Sequence, residues 1–283
     1  MEIKFDDVSY VYNAKTPLKK VALRDINLVI QEGKVNALIG TSGSGKTTLI
    51  QLMNSLLVPT EGKVTVDEDI VGPKSRIKNI NALRRKVGIV FQFPEEQFFN
   101  LTVKKEIEFG LLSFNYRTNE LDKRVSDALR MVGLDDSYLE RDPFKLSNGE
   151  QRKVAIASIL VFNPKVIILD EPTIGLDYDS KKNLVKLIRM LKNRYNKTVI
   201  IISHDIDFIH AISDYVILLD NGNLIITGNK YDILANPEAL KHYNIPMPKI
   251  VEFSYKALKD KGIKMGYRDD VNDLLKDIYR YAK

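Results

Sequence analysis

The sequence predicts an α/β fold layered around a largely parallel, buried sheet, and two observations lead to this class. Short runs of β-branched and apolar residues alternate with longer segments of helical period. Continuous apolar runs are typical of parallel strands that are covered on both faces. The predicted buried strands are residues 35–39, 87–91, 166–169, 199–202 and 215–219.

The N-terminal region has a different strand pattern. Residues 3–12 (IKFDDVSYVY) and 26–30 (INLVI) are typical of antiparallel strands, and a turn at Gly33 follows them. Residues 63–69 (KVTVDED) alternate with period two, as half-buried strands do. A small antiparallel β layer is therefore expected to precede and flank the main sheet.

Helical signals replace strand signals between residues 93 and 162. VKKEIEFGLLSF (103–114) and LDKRVSDALRMVGL (121–134) have helical period, and the second ends at a glycine typical of a helix stop. We therefore expect a helical subdomain, residues 93–162, inserted into the α/β core. NGNLIITG (221–228) then predicts a hairpin that turns at Asn-Gly.

A C-terminal helical extension, residues 236–283, is expected to follow a main domain of residues 1–235. It begins with a segment interrupted by proline, NIPMPK (244–249), and ends in an amphipathic helix. The apolar face of that helix would comprise Val271, Leu274, Leu275, Ile278, Tyr279 and Ala282.

Composition excludes several function classes. The 283 residues include no cysteine, which rules out disulfides, thiolate zinc sites and cysteine nucleophiles. The net charge of +6 is spread over scattered lysines and arginines, which favours a lysine-rich surface over a nucleic-acid site. No apolar stretch approaches the roughly 18–20 residues of a spanning helix, and the first residues lack a signal-peptide core. A cytoplasmic location is expected.

The strongest local motif is GTSGSGKT, which follows the apolar strand VNALI and precedes a run of helical period. It matches the P-loop, whose backbone N–H groups converge on phosphate oxygens at a helix N-terminus. The lysine would neutralise the β and γ phosphates of a nucleoside triphosphate, and the following threonine would hold Mg²⁺. The predicted nucleotide-binding residues here are Gly40, Thr41, Ser42, Gly43, Ser44, Gly45, Lys46, Thr47 and Thr48.

A second motif, VIILDEP (166–172), predicts hydrolysis of the bound triphosphate. It is an apolar strand that ends in two carboxylates, where a Walker B aspartate belongs. Asp170 is expected to hold Mg²⁺, directly or through water. Glu171 is expected to polarise a water for in-line attack on the γ phosphate.

These two motifs are followed and preceded by further motifs in a fixed order. Because of this order, the first 230 residues or so resemble the ATP-binding-cassette (ABC) ATPases. The resemblance implies a RecA-like P-loop core. Tyr12 in SYVYN matches the aromatic that stacks on adenine, and Gln92 matches the Q-loop glutamine, which senses Mg²⁺. Asp177 in GLD matches the D-loop, and His204 in IIISHD matches the switch histidine beside the γ phosphate.

The segment LSNGEQRK (146–153) occupies the signature position of that family. The resemblance implies that Ser147, Asn148, Gly149 and Glu150 act at the site of a second subunit, so that two subunits enclose two nucleotides. Asn148 replaces the first consensus glycine, and Glu150 replaces a glutamine. Asn148 is expected to tolerate a left-handed backbone there.

The stretch FQFPEEQFFNLTVKKEIEFG (91–110) is similar to energy-coupling factor (ECF) transporter ATPases, in particular the second of their two paralogues. This resemblance implies an importer at the cytoplasmic face of the membrane. Its expected partners are a second ATPase, more often paralogous than identical, a transmembrane coupling protein near the Q-loop, and a membrane protein that binds a vitamin or metal ion. No nucleic acid is expected.

Three alternatives are weighed against this reading. Another class of ABC transporter would carry the same motifs. A soluble ABC ATPase acting on nucleic acid or ribosomes would suit the basic pI, but long coiled-coil insertions and a second cassette are absent. A small-molecule kinase or GTPase does not account for the signature, the paired carboxylates and His204. The transported substrate is not encoded in this chain.

Overall fold

A computed structural model describes residues 1–75, 79–114, 120–263, 268 and 271–281. Ala282 and the side chain of Val271, both assigned above to the terminal helix face, lie outside this description. Within it, the strands are β1 (Ile3–Tyr12), β2 (Lys20–Val29), β3 (Val35–Ile39), β4 (Glu61–Val66), β5 (Asp69–Val71), β6 (Val87–Val90), β7 (Val166–Asp170), β8 (Thr198–Ile202), β9 (Tyr215–Asp220) and β10 (Asn223–Asn229).

The strands form two sheets. The larger has the order β10-β9-β3-β8-β7-β6, and its strands are parallel except for the edge hairpin β9–β10. That hairpin turns at Asn221 and Gly222, whose φ values of 46° and 80° fit the turn expected from Asn-Gly. The smaller sheet, β2-β1-β4-β5, is antiparallel. The predicted α/β class and antiparallel layer are both present.

The helices of the described residues are α1 (Lys46–Met53), α2 (Ile80–Lys86), α3 (Val103–Ser113), α4 (Leu121–Met131), α5 (Asn148–Leu160), α6 (Tyr178–Asn193), α7 (Ile206–Ile212), α8 (Lys230–Leu234), α9 (Pro237–His242), α10 (Lys249–Lys261) and α11 (Val271–Tyr281). Short 3-10 turns cover Pro94–Gln97, Asp136–Tyr138 and Pro143–Lys145. None of these helices is long and apolar enough to cross a membrane.

Two hydrophobic cores lie on opposite faces of the larger sheet. Along β3, Val35, Ala37 and Ile39 belong to the core that includes α3, α4, α5 and α6, whereas Leu38 belongs to the core beside α1 and the smaller sheet. This alternation follows from the period of two along a strand. Covering both faces explains why the strand sequences are almost continuously apolar.

The helical segment between β6 and β7 is entered and left through unusual backbone. Phe93, after β6, has φ 50°, and Asn163, after α5, has φ 56°. Both lie in the left-handed region, which residues other than glycine seldom occupy. The segment of α3, α4 and α5 is thus bounded at both ends by a residue in a left-handed conformation.

The C-terminal region contains more helix than the single terminal helix expected from its sequence. α9 and α10 precede α11, and the backbone N–H of Lys249 donates to Asp207 Oδ1 at 2.8 Å, joining the start of α10 to α7. On α11, Leu274 is buried, but Leu275 and Tyr279 are exposed. The expected apolar face is therefore only partly covered.

Candidate functional site

The phosphate-binding loop joins the end of β3 to the start of α1, as its sequence predicts. Gly40 and Gly45 have φ values of 146° and 103°. A Cβ at Gly40 would lie 2.0 Å from the Leu219 carbonyl oxygen, and one at Gly45 would lie 2.6 Å from that of Ala22. Glycine is therefore required at both positions, for close backbone approach as well as for φ.

Lys46, the first residue of α1, has its ammonium group folded back onto the loop. Its Nζ donates to the carbonyl oxygens of Gly40 and Thr41, at 2.8 Å each. Burial lowers the pKa of Lys46, and the nearby carboxylates of Glu171 and Asp170 oppose that shift. The ammonium group is positioned beside the loop where phosphates would gather.

Asp170 and Glu171 lie at the carboxyl end of β7, and both are buried. Burial raises the pKa of Asp170 to about 6, with a further contribution from Glu171 and an opposing one from Lys46. Burial also raises the pKa of Glu171, and the charges of His204 and Lys46 oppose it. Glu171 has φ 49°, a left-handed conformation that is costly for a residue with a side chain.

His204 follows β8, the neighbour of β7, and lies beside Glu171. Its backbone N–H donates to Glu171 Oε2 at 3.3 Å, and its Nε2 lies 3.4 Å from Glu171 Oε1. The second pair is close but not aligned as a hydrogen bond, and Oε1 is buried without another partner among the described residues. This oxygen therefore keeps an unused acceptor position.

One cavity of about 260 Å³ is lined by most of the predicted nucleotide-binding residues. The residues predicted from sequence that line it are Tyr12, Ser42, Gly43, Gly45, Lys46, Thr47, Thr48, Gln92, Asp170, Glu171 and His204. Gly40 and Thr41 instead line a neighbouring cavity shared with His204, and Ser44 is buried beneath the loop. Tyr12 Oη lies 3.1 Å from Thr48 Oγ1, which fixes the ring at the rim.

Sequence reasoning missed Lys20, Ala22 and Ile202, which also line this cavity. Lys20 is paired with Tyr12 across the antiparallel β1–β2 register, so both residues lie at the same end of the hairpin. The predicted antiparallel pairing contained this signal, but β2 begins at Lys20, six residues before the strand start expected at residue 26.

The signature residues do not line the nucleotide cavity. Ser147, Gly149 and Glu150 line a separate cavity of about 110 Å³ between α5 and α6. Ser147 is the N-cap of α5, where it accepts from the Glu150 N–H, while the Glu150 carboxylate accepts from the Ser147 N–H. This reciprocal pair is a capping box. Tyr138 Oη also donates to Glu150 Oε1, at 2.6 Å.

The expectation of a left-handed backbone at Asn148 is wrong. Asn148 is the first helical residue of α5, which starts within the signature instead of after it, and its φ is not positive. Helical φ is open to any residue, so the change from glycine to asparagine imposes no backbone strain here. Asp177 likewise lies outside the nucleotide cavity and caps α6 by accepting from the Ser180 N–H at 2.7 Å.

The fold and the cavity together define a P-loop nucleoside triphosphatase. A glycine-rich loop opens onto a helix N-terminus, and the buried carboxylates and the histidine come from the ends of adjacent parallel strands, where ligands of such sheets bind.

Comparisons with known proteins identify the family within this class. The sequence family described as ABC transporter matches residues 23–174. An energy-coupling factor transporter ATP-binding protein, EcfA2, of Enterococcus faecalis is 40% identical over 91% of this chain and 89% of its own length. The protein of that name from Spiroplasma kunkelii is 42% identical over 94% of this chain and 87% of its own length. The chain belongs to the ABC transporter family, with the ECF transporter ATP-binding proteins.

Comparison with solved structures supports the same family assignment. CbiO1 of Clostridium perfringens, part of the ABC transporter complex cbiONQ, aligns with TM-score 0.74 and 35% identity over 89% of this chain and 97% of its own. The dimeric cassette MJ0796 bound to ADP and Pi aligns with TM-score 0.70 and 31% identity over 80% of this chain and 98% of its own. The sequence-based prediction of an ATP-hydrolysing subunit of an ECF-type ABC importer is confirmed at this level.

Proposed function

We propose that this chain supplies one half of each of two ATP sites, shared with a second ATPase subunit. The observation that carries this proposal is the separation of two cavities. The phosphate loop, Asp170, Glu171 and His204 line one, whereas Ser147 and Gly149 line another. A second subunit that presented its own signature to the first cavity would complete the site.

The donor set of the cavity fits Mg²⁺. The Thr47 hydroxyl, the Gln92 amide oxygen and the Asp170 carboxylate all belong to residues that line it. Mg²⁺ prefers such oxygen ligands, and it is usually bound through one or two carboxylates plus substrate phosphates. When bound, the ion would offset the charge of the phosphate oxygens. Among the described residues, no three acidic, histidine or cysteine side chains are arranged to hold a metal ion by themselves, and phosphate oxygens would complete the shell.

Hydrolysis is assigned to Glu171 and His204. Glu171 Oε1 is buried and lacks a hydrogen-bond partner among the described residues, so it can accept from a water placed in line with the γ phosphate. Its raised pKa brings the carboxylate closer to the range of an effective general base. The His204 ring, more than half exposed at 59%, is available to hold the same water or a phosphate oxygen. Lys46 would neutralise the β and γ phosphates, while Tyr12 would stack on the base.

The proposed membrane partner would dock near the Q-loop. Large apolar side chains are exposed along residues 93–112, which follow Gln92, and a transmembrane coupling protein would cover them. These side chains are Phe93, Phe99, Leu101, Phe109 and Leu112. The chain would thus lie at the cytoplasmic face of the membrane, as a peripheral subunit without a nucleic-acid partner.

The second ATPase is proposed to be a paralogue, since residues 91–97 match the second of two paralogous subunits and Asn148 departs from the consensus. A separate membrane protein would bind the cargo, a vitamin or metal ion. Residues 1–235 form the ATPase domain in this proposal, with the helical subdomain 93–162, and residues 236–283 form the extension.

Purification from the native membrane under mild detergent, followed by mass spectrometry, tests the assembly. We expect to recover a paralogous ATPase, one coupling protein and a small set of cargo-binding membrane proteins. ATP hydrolysis by this complex should depend on Mg²⁺ and stop in EDTA. Recovery with ribosomes or DNA and without membrane proteins would contradict the proposal.

A further inference from the structure

Arg152 in α5 is buried to a degree that is rare for arginine. It is 4% exposed, and burial lowers the pKa of its guanidinium group, which a carboxylate opposes. A buried charge is retained only where partners compensate for its lost hydration. The partners of Arg152 therefore indicate what its position contributes.

The guanidinium group joins two segments that are far apart in sequence. Its Nη2 donates to Glu95 Oε1 and to the Ile174 carbonyl oxygen, at 3.3 Å each. Glu95 belongs to the 3-10 turn just after Gln92, and Ile174 belongs to the loop that follows the Walker B strand. Arg152 thus links the Q-loop side of the helical segment to the catalytic side of the core.

The turn that carries Glu95 is also fixed to the helices at its far end. The buried Glu106 of α3 accepts from the Phe99 N–H at 3.3 Å and from the Asn100 N–H at 3.0 Å. The turn is therefore bound to α3 by one carboxylate and to α5 by Arg152. A force on the exposed apolar side chains of this region would therefore act on the contacts that join the turn to both helices.

The other partner leads to Glu171 in one further step. The Ile174 N–H donates to the Glu171 carbonyl oxygen at 3.4 Å, which closes the turn that begins at this carboxylate. Glu171 has φ 49°, and such a conformation persists only where neighbouring contacts hold it. The path from Glu95 through Arg152 and Ile174 thus ends at the backbone of the proposed general base.

Several hydrogen-bonding atoms of the Arg152–Glu95 ion pair have no partner within the described part of the chain in this conformation. Arg152 Nε and Nη1 and Glu95 Oε2 are buried without hydrogen-bond partners among the described residues. A guanidinium group presents its donors in a fork that matches a carboxylate in two-point contact. A small shift of the turn would let the pair form that second arrangement, so the contact has two available geometries.

We infer that Arg152 is a positioning residue that couples the turn at Glu95 to the backbone of Glu171. Movement of the turn, driven by a partner at the Q-loop side, changes the Arg152–Glu95 geometry and, through the Ile174 carbonyl, the placement of Glu171. Arg152 lines the signature cavity and not the cavity that contains Glu171. This inference rests on the proposed function for its driving partner and for the role of Glu171.

The link is tested first on the chain alone, by distance distributions between two spin labels. Since the sequence contains no cysteine, Glu96→Cys in the turn and Asp179→Cys in α6 give a unique pair. We expect a single narrow distribution in the parent and a clearly broader one with Arg152→Met. Lys153→Met, its neighbour, is the matched control and should leave the width unchanged. Equal widths for the parent and Arg152→Met would overturn the link.

The kinetic test uses the purified transporter complex and the pair of ATPases without membrane proteins. We expect Arg152→Met to lower the ratio of kcat in the complex to kcat in the isolated pair at least fivefold. The KM for ATP should change less than about threefold. Arg152→Lys should restore only part of this ratio, because one ammonium group cannot replace the forked donors of a guanidinium group. Equal loss of both kcat values would indicate a structural role only and would overturn the coupling.

A double-mutant cycle separates the contact from general destabilisation. Glu95→Gln should reproduce the lower ratio, and Arg152→Met with Glu95→Gln should be no worse than Arg152→Met alone, since both changes remove one contact. Glu61→Gln, at an exposed carboxylate on β4 outside the proposed docking region, is the control for charge. If Arg152→Met does not fold, Glu95→Gln is carried through both measurements with the same expected results. A parent complex without ATPase activity would reject the proposed function and leave the distance result intact.

Discussion

Gly149 of the signature lies so close to Ser180 of α6 that a methyl group added at its Cα would be 2.9 Å from the Ser180 hydroxyl oxygen. The φ of Gly149 is not positive, so glycine is needed here for close approach and not for its backbone conformation. The same bare backbone, in the first turn of α5, is what a phosphate held by a second subunit would approach.

The two uses of Gly149 are separable by mutation. Gly149→Ala should lower the melting temperature slightly, and adding Ser180→Ala should restore it because the clash with the hydroxyl is removed. Hydrolysis by the assembled ATPase pair should stay at least about tenfold below normal in both variants, because the added methyl group would keep a phosphate away from the backbone N–H, and such a donor is worth about that much or more. Thermal unfolding and ATPase rates check this.

Ser180→Ala alone is the control and should hydrolyse ATP normally. If the double variant regained the full ATPase rate, Gly149 would serve only its contact with α6, and the proposed action on the site of a second subunit would be wrong.

The capping box predicts a pH-dependent contribution to stability. Hydrogen bonds from Tyr138 and then Ser147 lower the pKa of Glu150 from 4.5 to about 2. A carboxylate with a lowered folded-state pKa stabilises the protein above its unfolded pKa, and this contribution is lost as the pH falls from about 4.5 towards 2. Glu150→Gln should therefore reduce the free energy of unfolding by about 0.5–1 kcal/mol at pH 7.

Urea unfolding between pH 3 and pH 7 measures this difference. It should shrink as the pH falls below about 4.5, because the unfolded glutamate takes up a proton there while the folded one, with a pKa of about 2, is still largely ionised at pH 3. Glu140→Gln, an exposed carboxylate nearby, should show no such trend. A Glu150→Gln difference that stayed constant over this range would mean that the carboxylate charge does not support the cap.

The sequence predicted the parts of the site whose chemistry is local. A P-loop or a strand ending in two carboxylates carries its own neighbours, so Lys46, Asp170 and Glu171 were placed by short-range pattern alone. Bringing Gln92 and His204 to the same cavity needed the parallel order of β6, β7 and β8, which the strand pattern does not specify. The family resemblance supplied that step.

Other features depend on contacts that no local pattern contains. Arg152 meets a glutamate in another helical turn, and Gly149 meets a serine on a separate helix. The Ser-x-x-Glu pattern of Ser147–Glu150 by itself predicts a capping box. It was not predicted because the same residues were interpreted as a phosphate contact. α10 was missed because it directly follows a segment with two prolines.

Substitutions of Tyr12 separate the contributions of base stacking and hydrogen bonding to ATP binding. Its ring lines the nucleotide cavity and its hydroxyl meets Thr48 Oγ1 at 3.1 Å. If stacking dominates, Tyr12→Phe should change the Kd for ATP less than about threefold, whereas Tyr12→Ala should raise it roughly fivefold to a hundredfold, the range of base–aromatic stacking. Calorimetry on the chain alone measures both, with Tyr178→Ala as a control at an exposed tyrosine. Equal weakening by Phe and Ala would assign the effect to the hydroxyl.

Glu171→Gln isolates the proton-accepting role of this carboxylate from its structural one. Glutamine keeps the length of the side chain and an oxygen that can accept from the His204 N–H, now bonded at 3.3 Å, so the loop geometry should be preserved. A neutral amide cannot take a proton from water, and general-base catalysis is worth about 10²–10⁴ in rate. The kcat for ATP should therefore fall at least about a hundredfold while ATP binding persists.

Because binding without turnover leaves the nucleotide in place, ATP should also hold the ATPase pair together longer than in the parent, as size-exclusion chromatography would show. Glu61→Gln, which neutralises an exposed carboxylate on β4, should leave both properties unchanged. A Glu171→Gln protein that hydrolysed ATP at the normal rate would transfer the role of base to another group.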